Sequence, residues 1–110
     1  MINSVTIEGR LTKDPEYGHT SNQTEYANLT LACSRPFKDS NGQATADFIR
    51  CIAWQYVATY IQRKFHKGDL VVVHGRLQTS TYDNDMGEKC YSTQVVISEI
   101  DGISIKKDEF

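Results

Sequence analysis

Four aromatic residues in this chain stand close to cations. Phe37 is flanked by Arg35 and Lys38, Phe48 and Trp54 share one parity with Arg50 between them, and Tyr82 follows Arg76. Flat rings stack on exposed bases and guanidinium groups follow the phosphates, so such a set suits single-stranded nucleic acid. The competing reading of any one ring is core packing, which is the better reading for Tyr26, Tyr60 and Phe65. Along 48–54, however, Ile49, Cys51 and Ala53 already supply an apolar face. In a strand, residues of the other parity point the opposite way, so Phe48, Arg50 and Trp54 need another role. Binding is the better account of them.

Catalysis finds little support. There is no Gly-rich phosphate loop ending in Lys and no Gly-x-Ser-x-Gly elbow. His19, His66 and His74 are dispersed and form no His-x-x-x-His pair, and nothing in the local sequence would orient a base toward a nucleophile. Asp83, Asp85 and Glu88 invite a calcium reading, but Gly87 falls where the EF-hand loop needs an oxygen ligand. That stretch reads as a solvated loop tip. Cys33, Cys51 and Cys90 are odd in number, widely spaced and without a Cys-x-x-Cys pair, which argues against a disulfide framework or a zinc site. They read as small core or strand residues in a reducing compartment. No catalytic residue, no metal ligand and no cofactor is expected.

The chain must therefore position a binding surface, and its composition allows that. At 110 residues, 39% hydrophobic and 24% charged, it suits one folded domain. No apolar run approaches the roughly 20 residues of a membrane helix, and Met1-Ile2-Asn3-Ser4 lacks the charged-then-apolar layout of a secretion signal. A cytoplasmic, nucleoid-associated location with no membrane partner is expected. The net charge of −2 is unevenly spread: residues 35–76 hold seven basic side chains against three acidic ones. That local excess fits an anion-binding surface, and it also fits a solvated helix face.

The elements follow from periodicity. Residues 4–11 alternate, as do 26–33 and 48–54, each as a half-buried strand would. Asp14-Pro15 and Gly18 mark a turn, and Asn41-Gly42 is a hairpin signal. Val57, Tyr60, Ile61 and Phe65 then recur at helical spacing, with Gly68 at a C-cap position. Residues 70–77 and 90–100 return to strand. The predicted fold is all-β with one short helix: a five-stranded Greek-key barrel with the helix between strands three and four, the OB-fold order. Other small barrels fit the same pattern.

Three segments resemble the bacterial and phage single-stranded DNA-binding protein family. Val5–Glu16 is similar to the family's opening strand and turn, Asp47–Trp54 to its third strand, and Lys67–Thr79 to its helix end and fourth strand. The resemblance runs from Met1 to about Ile105, in order and at family spacing. It implies an OB-fold domain over 1–105 that coats single-stranded DNA, without enzymatic activity, in replication, recombination and repair. It implies stacking by Phe37, Phe48, Trp54 and Tyr82, and phosphate contacts by Arg10, Arg35, Arg50 and Arg76. Tyr56 stands where some members have a basic residue, which removes a cation from that position. The resemblance further implies a homotetramer, ahead of a dimer. Lys106–Phe110 forms a short acidic end, similar to an abbreviated form of the family tip that would contact replication and repair proteins. Three rivals stand beside this reading: an interaction module on the same fold, which would have few stacking aromatics; an RNA-binding OB module; and an enzyme such as a nuclease, which would need clustered acidic metal ligands.

Overall fold

Alternation of apolar and polar residues becomes strand pairing in the computed structural model of the chain, which describes residues 1–104. The elements are β1 (Val5–Leu11), β2 (Glu16–His19), β3 (Glu25–Lys38), β4 (Ala44–Trp54), α1 (Tyr56–Lys64), β5 (Leu70–Asp83) and β6 (Lys89–Gly102). The sheet order is β1-β5-β6-β4-β3-β2, and it closes through β1–β3 pairs at Arg10↔Ala32 and Leu11↔Leu31. All pairings are antiparallel except β4–β6. This is an OB-fold-like barrel with its helix between the third and fourth long strands.

The inward parity of each strand makes the core. Ala27, Leu29 and Leu31 of β3 meet Cys51 and Ala53 of β4, Val71 and Val73 of β5, and Val95 and Ile97 of β6. Ala58, Ile61 and Phe65 plug the barrel end from α1 and its exit. On β6 the period slips by one residue after Ile97, so that Ile100 rather than Glu99 is buried. A register shift at His74/Gly75 absorbs the slip, and the extra residue, Ser98, donates its hydroxyl to the His74 carbonyl at 3.0 Å. Gly75 is required beside that bulge. A Cβ there would sit 2.0 Å from the Val96 carbonyl oxygen.

Three local readings change. Residues 16–19, within the expected turn, form the short strand β2 against β3; four residues without apolar alternation leave little sequence signal. The helix ends at Lys64, with Phe65 as an extended C-cap, so Gly68 is not its cap. Gly68 instead takes a φ of 89° to bring its N–H onto the Leu11 carbonyl at 2.8 Å. Tyr26 and Tyr60, both expected in the core, stay out of it: Tyr26 is half-buried on the outward parity of β3, and Tyr60 lies on the exposed side of α1, where the Lys64 ammonium sits 5.3 Å from its ring centre.

Two hairpin arms extend beyond the barrel, β3–β4 and β5–β6. They raise the radius of gyration to 16.0 Å, against roughly 13 Å for a compact chain of this length. Both end in the same loop. Asp39 Oδ1 accepts from the N–H groups of Asn41 and Gln43, and Asn84 Oδ1 accepts from those of Met86 and Glu88. In each, a glycine three residues after that acceptor, Gly42 or Gly87, takes a positive φ. The arms are built structures, and β3, β4, β5 and β6 all run further than their core-facing stretches announce. Lys106–Phe110 lies outside the described residues.

Candidate nucleic-acid interface

Strand β4 divides as its parity dictates. Cys51 and Ala53 are sealed inside, whereas Phe48 is 67% and Trp54 39% exposed. Ile52 shares their parity but is buried, because it sits in mid-sheet between Asn28 of β3 and Val96 of β6. Trp54 pairs across the sheet with Tyr26, and the two rings lie 6.2 Å apart at a tilt of 55°. Tyr26 thus supports one side of the indole and leaves much of it in solvent.

Register gathers the cations onto this surface. Arg10, Ala32 and Phe48 are aligned across β1, β3 and β4; Thr30 stands beside Arg50; Asn28, Ile52, Val96 and Arg76 form a row across β3, β4, β6 and β5. Cross-strand partners share a face, so Arg10, Arg50 and Arg76 lie on the side that carries Phe48 and Trp54. Arg10 is oriented by a 3.0 Å hydrogen bond from Nη1 to the Gly68 carbonyl. Between the strands lies a polar hollow of about 280 Å³ lined by Lys13, Asn28, Thr30, Arg50 and Gln94. Its rim cation, Lys13, is 3.0 Å from Glu16. Asn28, Thr30 and Lys13 are additions to the set read from the sequence; the polar parity of β3 carried the signal, but the β3–β4 register did not show.

The other two aromatics sit on the arms. Phe37 is 68% exposed at the irregularity where Arg35, Pro36 and Phe37 face Thr45 alone. Tyr82 is 56% exposed on the same ribbon face as Arg76, six residues along β5. At about 3.3 Å per residue this puts Tyr82 on the order of 20 Å from Arg76. The surface therefore has a barrel part, with two rings and three arginines, and two arm parts with one ring each.

Arg35 differs from the other arginines. Its Nε lies 3.1 Å from both Asp47 carboxylate oxygens and its Nη2 lies 2.6 Å from Oδ1. The hydrogen-bonded guanidinium holds the Asp47 carboxyl below its ordinary range, and the carboxylate raises Arg35 in return. A phosphate at Arg35 must compete with Asp47. Among the described residues, no group of three His, Cys, Asp or Glu side chains is placed to hold a metal ion. Nor is any helix among them long and apolar enough to cross a membrane.

The model of the Single-strand binding protein family matches residues 2–103. A "Single-stranded DNA-binding protein" of Halalkalibacterium halodurans is 42% identical over 100 residues, covering 91% of this chain and 60% of that protein. A "Single-stranded DNA-binding protein 1" of Streptococcus pyogenes is 45% identical over 96 residues, covering 87% of this chain and 74% of that protein. One of the same name from Lactococcus lactis is 44% identical, again over 87% of this chain and 64% of its own length. The chain thus spans about three-fifths to three-quarters of the relatives it matches.

Proposed function

On the premise that this chain belongs to the single-strand binding protein family, we propose that it coats single-stranded DNA, without catalysing a reaction, during replication, recombination and repair. One observation carries the reading. Phe48 and Trp54 leave large ring areas in solvent on a barrel face that also holds Arg10, Arg50 and Arg76. Hydrophobic burial opposes such exposure of rings in a free protein, and stacked bases would cover them. Phe37 and Tyr82 extend the path onto the arms, with Arg35 joining once Asp47 yields it. Every base has a π-face, so sequence preference is slight.

The chain assembles as a homotetramer in this reading, and a dimer is second. Support comes from β1, whose residues Val5–Gly9 pair with β5 on one side and have no strand partner on the other among the described residues. An apolar hollow of about 380 Å³ lies nearby, lined by Val5, Ile7, Ile49, Leu77 and Val95, and it borders the strand-binding face through Phe48 and Arg50. Open edges and apolar faces are where identical chains pair. The location is the cytoplasm, on the nucleoid, and Lys106–Phe110 supplies a contact for replication and repair proteins.

The test is a titration of the full chain with oligothymidine while following the fluorescence of Trp54, its only tryptophan. Strong quenching at saturation supports the assignment, and unchanged emission defeats it. Light scattering on the same samples reads assembly: four times 12.5 kDa is expected, and the mass of one chain would end the tetramer proposal.

A further inference from the structure

Trp54 is followed by Gln55, whose φ of 57° turns the chain into α1 and brings Tyr56 out beyond the end of β4. That turn is firmly tied. The Gln55 N–H donates to the Glu25 carbonyl at 2.9 Å, the Thr59 N–H donates to the Gln55 carbonyl at 3.1 Å, and the Thr59 hydroxyl donates to the Glu25 carboxylate. Beside it opens a hollow of about 610 Å³ whose wall includes Gln23, Glu25, Gln55, Tyr56, Tyr60 and Arg63.

Tyr56 is 79% exposed, and Tyr60, one helical turn on, is exposed as well. The Lys64 ammonium donates to the Tyr60 hydroxyl at 3.0 Å, which fixes that ring. Arg63 adds a cation in the last turn of α1. An exposed ring beside a cation is the pairing already seen at Phe48 and Arg50. The hollow adjoins the end of that face: Gln55, which lines it, follows Trp54 directly, and Tyr56 stands two residues past Trp54. Glu25 in the hollow opposes a phosphate, and Glu99 and Asp101 share a second hollow with Tyr56 and Tyr60; Arg63 and Lys64 in the last turn of α1 are the cations set against them.

We propose that this hollow is a further nucleotide subsite: the base beyond the one on Trp54 stacks on Tyr56, and its phosphate meets Arg63. Gln23 and Gln55 offer amide groups to the base edge. The subsite rests on the reading of the Phe48–Trp54 face as a single-strand surface, and it lengthens the path along α1. A protein segment is the other occupant that two tyrosines and an arginine would suit; adjacency to Trp54 favours the strand.

The test uses the full chain, labelled oligothymidine and anisotropy, with melting curves to confirm folding of each variant. Tyr56→Ala should weaken binding of a long oligothymidine roughly 5- to 150-fold, the range for losing one stacked ring in single-strand binders as a class. Arg63→Ala should make the log–log salt slope shallower by about 0.7, the share of one phosphate. Oligothymidine carrying 5-iodouracil, irradiated on the unaltered chain, should leave an adduct on Tyr56 or Tyr60. If Trp54→Ala weakens binding while both α1 variants bind normally and α1 takes no adduct, the subsite is wrong and the face stands. If Phe48→Ala and Trp54→Ala both bind as tightly as the unaltered chain, the underlying reading falls and the subsite with it.

Discussion

Replacing Phe48 by alanine separates binding from folding, because the ring belongs mostly to the surface. It is 67% exposed, so only about a third of it is packed. A fully buried phenylalanine costs about 3–5 kcal/mol when cut to alanine, so a third of that is roughly 1–1.7 kcal/mol. For a chain of this size the melting temperature should fall by roughly 4–14 °C, leaving the protein folded at 25 °C. The binding cost is the range found for single-strand binders as a class, about 1–3 kcal/mol per stacked base. That corresponds to a roughly 5- to 150-fold weaker dissociation constant at 25 °C. Trp54 remains in the variant and reports both quantities by fluorescence. Leu29→Ala is the contrast: Leu29 is buried, and its loss should cost about 2–5 kcal/mol of stability with little change in affinity of the folded fraction. If Phe48→Ala melts a few degrees lower yet binds oligothymidine normally, the stacking role of that face is refuted.

Asp47→Asn should release Arg35 for phosphate, tightening oligothymidine binding at low salt and steepening the log–log salt slope by up to about 0.7; an unchanged slope would show that Arg35 takes no part. Cys51 is pushed up from 9.0 to about 12, first by burial and then by neighbouring Cys33. The folded state therefore favours the neutral thiol: this contribution is intact below pH 9.0 and is lost as pH rises toward about 12. The stability advantage of the unaltered chain over Cys51→Ala should accordingly narrow in urea titrations above pH 9.0, and a constant difference would contradict it. Gly75→Ala should lower stability by about 2 kcal/mol or more, because the clash at 2.0 Å is with backbone that cannot rotate away; a melting temperature within error of the unaltered chain would show that the bulge is adaptable.

Parity made much of this molecule legible in its sequence. The inward and outward faces of β4 follow from residues 48–54 alone, and with them the exposure of Phe48 and Trp54. The helix followed from the change of period after Trp54. What parity does not carry is pairing across the sheet. Nothing local places Arg10 in line with Phe48 or Arg76 in line with Ile52, because strands remote in sequence make those rows. The arms were undercounted for a related reason: beyond the barrel both faces of a ribbon meet water, so residues 78–83 and 34–38 lose the apolar alternation that announces a strand. The ion pair of Arg35 with Asp47 joins residues twelve apart in sequence across a hairpin, and that separation matches no local helical or turn spacing.

The most direct measurement is the affinity of the full chain for oligothymidine and for duplex of equal length at one sodium chloride concentration. Duplex presents the same kind of phosphates but hides its base faces. Arginines alone would hold both, whereas Phe37, Phe48, Trp54 and Tyr82 can stack only on bases that are open. The account predicts far tighter binding to the single strand, with measurable binding persisting as salt approaches roughly 1 M because stacking survives the screening that removes the phosphate contribution. Equal affinity for the two forms would contradict it, and the aromatic face would then have to be explained some other way.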